Sequence, residues 1–208
     1  NYAPWNIEIS SKILLDKREG NILDIGAHIG TFSIPLAKNF PNLTFLNFEV
    51  QKKVFDILNY NINLNNLKNI KTFEIGLSDQ YEKKTVSLPD YDIESNIGAF
   101  SLDINVRINN YEVKTTGQTM SFNLVPLDKY NLKNILLIKL DVEGYELNVL
   151  RGAINTIKNN NYPPILFETW IGKKFYLEKR GEIFNFLENC GYTIKTIGYG
   201  NDNIAIKN

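Results

Sequence analysis

Cysteine and histidine are almost absent from this 208-residue chain, which contains one of each. The single cysteine, Cys190, cannot form an internal disulfide framework, and a lone thiol is typical of a protein from a reducing compartment. The chain also lacks an excess of either charge, because 23 Lys and Arg residues balance 23 Asp and Glu residues. This balance argues against a nucleic-acid backbone or an anionic membrane as the partner.

Long apolar runs are absent as well. No stretch approaches the roughly 20 residues that a membrane-spanning helix needs, and no signal peptide opens the chain. We therefore expect a soluble, cytoplasmic protein without a membrane span. The chain begins at Asn1 rather than at a methionine, from which we predict that it belongs to a longer polypeptide.

The residues that are present follow the pattern of an α/β protein. Short apolar segments predict strands at residues 21–25, 43–48, 70–75, 135–140, 165–168, 193–197 and 203–206. Segments with helical spacing predict helices at residues 5–15, 31–40, 51–64, 146–158 and 182–189, the first of them over the sheet edge. Alternating strands and helices with short connections predict a parallel, doubly wound sheet. The length of the chain suits a single domain over residues 1–208.

Residues 80–123 interrupt this alternation. They are polar and rich in Thr, Ser, Tyr and Asn, and residues 84–88 and 112–116 alternate as strands do. We interpret them as a β-hairpin insertion. Because insertions near the carboxyl ends of strands often shape a ligand pocket, we place this one on the substrate side.

A turn with two glycines follows the first predicted strand and reads DIGAHIGT over residues 24–31. Small residues let the backbone approach a ligand closely, and the following helix directs its N-terminal N–H groups at that ligand. The spacing D-x-G-x-x-x-G differs from the G-x-G-x-x-G of dinucleotide-binding proteins. A tight turn without a ligand is the alternative. The candidate ligand-binding residues of this turn are Asp24, Gly26, Ala27, His28 and Gly30.

Polar residues also follow the next two predicted strands. Glu49 ends the second strand, where a carboxylate of a doubly wound fold accepts hydrogen bonds from ribose hydroxyls. Ser78 and Asp79 follow the third strand, where a short polar pair can bind an adenine amino group. The alternatives are a solvent-exposed Glu49 and an Asp79 that only caps a turn. With the glycine turn, these residues indicate a ligand that contains a nucleoside.

Four ionisable residues surround the end of the fourth predicted strand in KLDVEGYE, residues 139–146. Burying such charges is costly unless they are paired or used in chemistry. Lys139 and Asp141 share one face of the strand, so a simple ion pair is one explanation for both. Glu146 suits the first turn of the next helix. We expect Asp141 and Glu143 to point into the ligand cleft.

At these residues the sequence resembles the FkbM-type methyltransferases. The matching segments are DIGAHIGT (24–31), FEV (48–50), NYNINLNN (59–66), GLSD (76–79), VPLDKY (125–130), IKLDVEGYELNVLRGA (138–153) and LFE (166–168). The motif KLDVEG-x-E-x-x-VL-x-GA is long and specific. The resemblance implies a class I methyltransferase (Rossmann-like) fold. It also implies S-adenosylmethionine as cofactor and S-adenosylhomocysteine as product.

The resemblance further implies an O-methyltransferase with Asp141 and Glu143 at active-site positions. His28 lies where many family members have asparagine. We consider Asp141, Glu143 and His28 as the general base, with Asp141 first because it lies beside the expected methyl position. Asp141 also joins the predicted cofactor site. The motif requires no metal ion, although a divalent ion shared by the two carboxylates is an alternative.

The acceptor is the least specified part of the prediction. We expect a carbohydrate or glycan hydroxyl, for example on a terminal deoxyhexose such as rhamnose, and fusion to glycosyltransferase domains in a longer protein. The candidate acceptor-binding residues are Asn96, Glu168 and Trp170. The alternatives are a small-molecule or polyketide hydroxyl, a nucleic-acid or protein substrate, and a non-catalytic module. Neutral charge argues against nucleic acid, and no N-P-P-Y-type tetrad follows the fourth strand.

Overall fold

The structure is a computed structural model that describes residues 4–92, 97–109, 114–198 and 200–207. Its strands are β1 (Asn21–Ile25), β2 (Thr44–Glu49), β3 (Ile70–Glu74), β4 (Gly76–Leu77), β5 (Glu82–Pro89), β6 (Thr115–Val125), β7 (Ile135–Leu140), β8 (Ile165–Glu168), β9 (Tyr192–Ile197) and β10 (Asp202–Lys207). Its α-helices are α1 (Pro4–Leu14), α2 (Ser33–Asn39), α3 (Lys52–Leu64), α4 (Ile104–Asn109), α5 (Glu146–Gly152), α6 (Ile154–Asn159) and α7 (Leu177–Asn189).

The larger sheet has seven strands in the order β3-β2-β1-β7-β8-β10-β9. Strands β3 to β8 in this order are parallel, whereas β10 runs antiparallel to both of its neighbours. The chain extends the sheet in one direction after β1 and in the other after β7, so the order reverses between these two strands. Ligands of doubly wound folds bind at such a reversal, beyond the carboxyl ends of the strands. The predicted doubly wound α/β sheet is confirmed.

The sheet is buried on both faces, which explains why its central strands are apolar runs. Successive residues of β1 point to opposite sides. Leu23 packs in a cluster with Leu150 of α5, and Ile22 packs on the other side with Leu14 of α1 and Leu36 of α2. Each of these five side chains is at most 2% exposed. Burying a side chain of this size stabilises the fold by about 1.5–3 kcal/mol.

The helices differ in detail from the sequence prediction. Helix α1 crosses one face of the sheet from its middle to its edge. Leu14, at the end of α1, packs in a cluster with Leu137 of β7, whereas Trp5, at the start of α1, donates to Asp202 of β10 at 2.7 Å. The predicted helix 146–158 is two helices, α5 and α6, which meet at Ala153. The Asp128 carboxylate caps the start of α6 by accepting the backbone N–H of Asn155 at 3.1 Å and of Thr156 at 2.7 Å. A long-range cap of this kind leaves no local signal in the sequence.

The insertion contains the predicted hairpin. Strands β5 and β6 pair antiparallel, with Val86 opposite Met120, and β4 completes a three-stranded sheet in the order β4-β6-β5. Residues 112–113 of the predicted second strand lie outside the described residues, and β6 begins at Thr115. Helix α4 lies between the two strands in sequence. Phe100 and Phe122 of the insertion pack with Tyr145, which joins the hairpin to the segment after β7.

Within the described ranges, no helix has both the length and the apolar character that crossing a membrane requires.

Candidate functional site

A cavity opens at the carboxyl ends of β1, β2 and β7, where the strand order reverses. It holds about 980 Å³ of empty space, part of which is open to solvent. The glycine turn after β1 lines one wall, and Phe100 and Leu102 of the insertion line another. The insertion therefore contributes to the same cavity as the sheet.

Gly26 brings the turn after β1 against the end of β7. Its φ is +80°, and a Cβ at this position would lie 1.8 Å from the carbonyl oxygen of Asp141. The backbone N–H groups of Gly26 and Ala27 both donate to the carbonyl oxygen of Phe48 at 3.0 Å. Only glycine fits this close approach of two backbones, and the turn is thereby fixed at the cavity wall.

Glu49 lies at the end of β2 with its carboxyl group buried in the cavity wall. One oxygen, Oε2, accepts the backbone N–H of His28 at 3.0 Å, and Oε1 accepts that of Gln51 at 2.8 Å. Burial raises the pKa of Glu49 to about 7, although the N–H groups of Gln51 and His28 oppose this rise. Because a carboxylate offers about four acceptor positions, it can accept further hydrogen bonds from a ligand.

Lys139 and Asp141 form an ion pair at the end of β7. Nζ of Lys139 donates to Oδ2 of Asp141 at 3.0 Å and lies 3.9 Å from Oδ1 of Asp24. Burial lowers the pKa of Lys139, but the carboxylates of Asp141 and Asp24 outweigh it and raise this pKa to about 12. Asp24 is fully buried, and burial raises its pKa while Lys139 opposes the rise. Lys139 and Asp141 line the cavity, whereas Asp24 lies beneath its wall.

Glu143 also lines the cavity, from the loop between β7 and α5. Its Oε2 is buried, and no group among the described residues donates a hydrogen bond to it. Burial, followed by the negative charges of Asp141 and Glu168, raises the pKa of Glu143 well above the usual value. The pKa of Glu168 rises to about 8, chiefly through burial and the charge of Asp141. Each of these two carboxyl groups therefore binds a proton more strongly than an exposed carboxyl group does.

His28 has its side chain on the cavity wall and a φ of +50°, a conformation in which asparagine is common and histidine is also enriched. Burial lowers the pKa of the imidazole, as does Lys139, while Asp141 opposes this effect. His28 is therefore neutral at pH 7 and can accept or donate a hydrogen bond.

The structure brings together Gly26, Ala27, His28, Glu49, Asp141 and Glu143 at one cavity. The predicted adenine-binding pair is not among its described lining residues. Ser78 donates to Asp79 at 3.0 Å and to Glu82 at 2.7 Å, so its hydroxyl faces the insertion. The lining residues at this point are Gly76 and Leu77. The adenine role of Ser78 and Asp79 stays a prediction.

Three further predicted site residues, Gly30, Glu168 and Trp170, lie away from the cavity lining. Gly30 has a φ of +91° and packs against Ile34 of α2 and Leu58 of α3. Trp170 packs on Tyr176, with 4.9 Å between ring centroids. Glu168 ends β8, and its negative charge contributes to the raised pKa of Glu143, which lines the cavity. Asn96 lies outside the described residues, and its predicted role in acceptor binding stays untested.

The sequence does not single out Gln51 or Leu102, which also line the cavity. Gln51 lines the wall beside Glu49, and the hydroxyl of Tyr91 from the insertion donates to its Oε1 at 3.1 Å. Phe100 and Leu102 also belong to the wall. Their one sequence signal is their apolar character within an otherwise polar insertion. Among the residues that the structure describes, no three His, Cys, Asp or Glu side chains are arranged to hold a metal ion.

The sequence matches the methyltransferase FkbM domain over residues 24–194. The chain belongs to the FkbM methyltransferase family. S-Adenosylmethionine is therefore its cofactor. The match begins at Asp24 in the turn after β1 and ends in β9, so it includes every described residue that lines the cavity.

Two curated fungal relatives are similar in sequence to this FkbM domain. It is 28% identical to Methyltransferase 1 of Beauveria bassiana (strain ARSEF 2860) over 144 residues, which cover 63% of this chain and 57% of that protein. It is 27% identical to Methyltransferase sdnD of Sordaria araneosa over 203 residues, which cover 83% of this chain and 73% of that protein. The chain thus spans little more than half the length of the first relative.

Solved structures share the fold at low sequence identity. A putative caffeoyl-CoA O-methyltransferase from Staphylococcus aureus has a TM-score of 0.58 at 12% identity, covering 98% of this chain and 83% of that chain. A putative methyltransferase from Streptococcus mutans, solved in complex with SAH, has a TM-score of 0.54 at 11% sequence identity. The match covers 96% of this chain and 95% of that chain. A putative rRNA methylase from Clostridium thermocellum has a TM-score of 0.58 at 10% sequence identity. The match covers 95% of this chain and 91% of that chain. The predicted class I methyltransferase fold is confirmed.

Proposed function

We propose that this domain transfers a methyl group from S-adenosylmethionine to a hydroxyl oxygen of a carbohydrate. The observation that carries the proposal is the single cavity in which Glu49, at one strand end, faces the same space as Asp141 and Glu143, at another. A ribose-binding carboxylate and a proton acceptor are the two protein groups that such a reaction needs. Both are on the wall of one enclosed space.

The cavity fits the cofactor. Gly26 leaves space that any Cβ would fill, and Glu49 has acceptor positions that suit the two ribose hydroxyls. The apolar side chains of Phe48, Ile75 and Leu77 on the same wall suit a purine ring. The bound cofactor supplies an electrophilic methyl group. The chain itself must orient the acceptor hydroxyl toward that methyl group, an effect of proximity that is worth several kcal/mol.

Glu143 is the general base that the geometry favours. An alcohol is a poor nucleophile, and a positioned base typically contributes about 10²–10⁴-fold. Burial and the charge of Asp141 raise the pKa of Glu143, which makes its carboxylate a better proton acceptor. Sequence reasoning ranked Asp141 first, but Oδ2 of Asp141 already accepts a hydrogen bond from Lys139. Asp141 then keeps Lys139 and the end of β7 in position, and His28 is the remaining candidate.

A small-molecule or polyketide hydroxyl is the second candidate acceptor. Gly98, Phe100 and Leu102, the described insertion residues before β6 on the cavity wall, are apolar or lack a side chain. The polar residues of β6 from Thr115 to Ser121 are exposed instead. These contacts suit a less polar acceptor face. The family resemblance supports the carbohydrate, for which we also propose fusion to glycosyltransferase domains.

The test is a transfer assay with S-adenosylmethionine that carries a labelled methyl group. The acceptors are methyl α-L-rhamnoside and other methyl hexosides, a panel of aliphatic polyketide alcohols, and RNA, DNA and peptide as controls. Alkali-stable label on a saccharide, located to one ring oxygen by mass spectrometry and NMR, supports the proposal. Label on the alcohols alone selects the second candidate. Efficient transfer to RNA, DNA or peptide, with none to either panel, overturns both.

A further inference from the structure

The loop between β7 and α5, residues 141–145, holds Glu143 in an unfavourable backbone conformation. Glu143 has a φ of +52° and Gly144 a φ of +97°. The left-handed region disfavours a residue with a side chain, so such a conformation persists only where surrounding contacts hold it. Because this conformation directs the Glu143 carboxyl group to the cavity, the contacts that hold the loop control the position of the proposed base.

Glu146 holds the loop from inside the protein. Its side chain is 2% exposed, and its Oε1 accepts the backbone N–H of Gly144 at 3.0 Å and that of Val142 at 3.3 Å. The second oxygen, Oε2, accepts the hydroxyl of Tyr176 at 2.7 Å. Tyr176 is also 2% exposed and precedes α7 directly. One buried carboxyl group thus connects both N–H groups that flank Glu143 to the segment after β8.

Lys179 holds the carbonyl group of Gly144. From α7, its Nζ donates to the carbonyl oxygen of Gly144 at 2.6 Å and also pairs with the carboxylate of Asp103. Asp103 in turn caps α4, because its Oδ1 accepts the backbone N–H of Asn105 at 2.7 Å. The N–H and the C=O of Gly144 are therefore both fixed by side chains, through which the loop, the start of α7 and the insertion are joined.

We propose that Glu146, supported by Tyr176, is a positioning residue for the reaction. Its carboxyl group keeps the loop in the one conformation that presents Glu143 to the acceptor. The sequence predicts for Glu146 only a place in the first turn of a helix, where its charge interacts favourably with the helix dipole. The inference rests on the proposed function, in which Glu143 accepts the proton of the hydroxyl.

Amide hydrogen exchange in the free protein tests the contact directly. Tyr176→Phe removes one hydroxyl from the network, and exchange at the N–H groups of Val142 and Gly144 is followed by NMR. We expect at least about tenfold faster exchange at both, the effect of weakening one charged hydrogen-bond network. The matched control is Tyr192→Phe, because the hydroxyl of Tyr192 is also buried and donates to the carbonyl oxygen of Pro163 at 2.8 Å. The control leaves both N–H groups at the wild-type rate.

Binding and turnover complete the test. In Tyr176→Phe, the calorimetric affinity for S-adenosylhomocysteine stays within about twofold, because Glu49 is at another strand end, while kcat for methyl transfer to the saccharide panel falls about tenfold or more. Glu146→Gln keeps an oxygen for the N–H of Gly144 and loses less activity than Glu146→Ala. If Glu146→Ala does not fold, the comparison of Tyr176→Phe with Tyr192→Phe still tests the positioning role of Glu146.

Three outcomes overturn the positioning role. They are unchanged exchange at both N–H groups, equal acceleration in Tyr176→Phe and Tyr192→Phe, and equal losses of kcat in the two variants. Because the exchange measurement needs no methyl transfer, it separates this inference from the proposed function. A wild-type protein that methylates no hydroxyl refutes the proposed function alone, whereas an active enzyme with an unaffected loop refutes the positioning role alone.

Discussion

Oε2 of Glu49 accepts the backbone N–H of His28 at 3.0 Å, which ties the end of β2 to the turn after β1. The same carboxyl group accepts the N–H of Gln51 at 2.8 Å. Glu49 thus has a structural contact on each oxygen before any ligand binds. A ribose diol adds hydrogen bonds to a carboxylate that is already fixed in orientation, so little side-chain entropy is lost on binding.

Glu49→Ala should weaken the binding of S-adenosylhomocysteine strongly. Each charge-assisted hydrogen bond that is lost costs about 1.5–3 kcal/mol, so Kd should rise more than tenfold in titration calorimetry. The matched control is Glu74→Ala, because Glu74 ends the neighbouring strand β3 but is exposed to solvent. Unchanged affinity in Glu49→Ala would refute the assignment of Glu49 to the ribose.

Cofactor affinity should also depend on pH. The pKa of Glu49 in the free protein is about 7, and ribose hydroxyls donate to the ionised carboxylate, so binding lowers this pKa and releases a proton. Below pH 7 the free protein must first lose that proton, and the affinity should fall by up to about tenfold per pH unit. Above pH 7 it should be constant. Calorimetry in buffers of different ionisation enthalpy measures the proton release, which Glu49→Gln should abolish.

The fold was largely predictable because its strands are buried and therefore continuous in their apolar pattern. The sequence predicts the strand Ile135–Leu140, the acidic motif after it and the glycine turn, and Gly26 and Glu143 do line one cavity. What the sequence does not predict depends on contacts between distant segments. Asp128 caps α6 at Asn155, 27 positions away, and the hydroxyl of Tyr176 donates to Glu146, 30 positions away. Neither contact leaves a local pattern.

Catalysis should depend on Glu143 more than on Asp141. Glu143→Gln keeps the shape but removes the proton acceptor, so kcat should fall about 10²-fold or more with little change in S-adenosylhomocysteine affinity. Asp141→Asn breaks the ion pair with Lys139 and should lower kcat less. Transfer at the parental rate by Glu143→Gln would exclude Glu143 as the base, and an unequal loss in the opposite order would support Asp141.

The pH profile gives this prediction a second measurement. Because the raised pKa of Glu143 keeps it protonated at low pH, log kcat should rise with pH to a plateau. The negative charge of Glu168 is one cause of that raised pKa, so Glu168→Gln should lower it and move the profile to lower pH. A profile that does not respond to Glu168→Gln would show that another group limits the rate.

Two glycines should respond in opposite ways to replacement by alanine. In Gly26→Ala the new Cβ meets the carbonyl oxygen of Asp141 at 1.8 Å in a backbone with a φ of +80°. Since the obstacle is a backbone atom, which cannot rotate away, the free energy of unfolding should fall by about 1–3 kcal/mol or more.

Gly181 lies within α7, and a Cβ there meets nothing within 4 Å. Gly181→Ala should therefore gain about 0.5–1 kcal/mol, because alanine loses less backbone entropy in a helix. Urea denaturation measures both values, and S-adenosylhomocysteine binding should weaken in Gly26→Ala alone. A stable Gly26→Ala variant with unchanged binding would show that the turn after β1 can move away from β7, contrary to the packing described above.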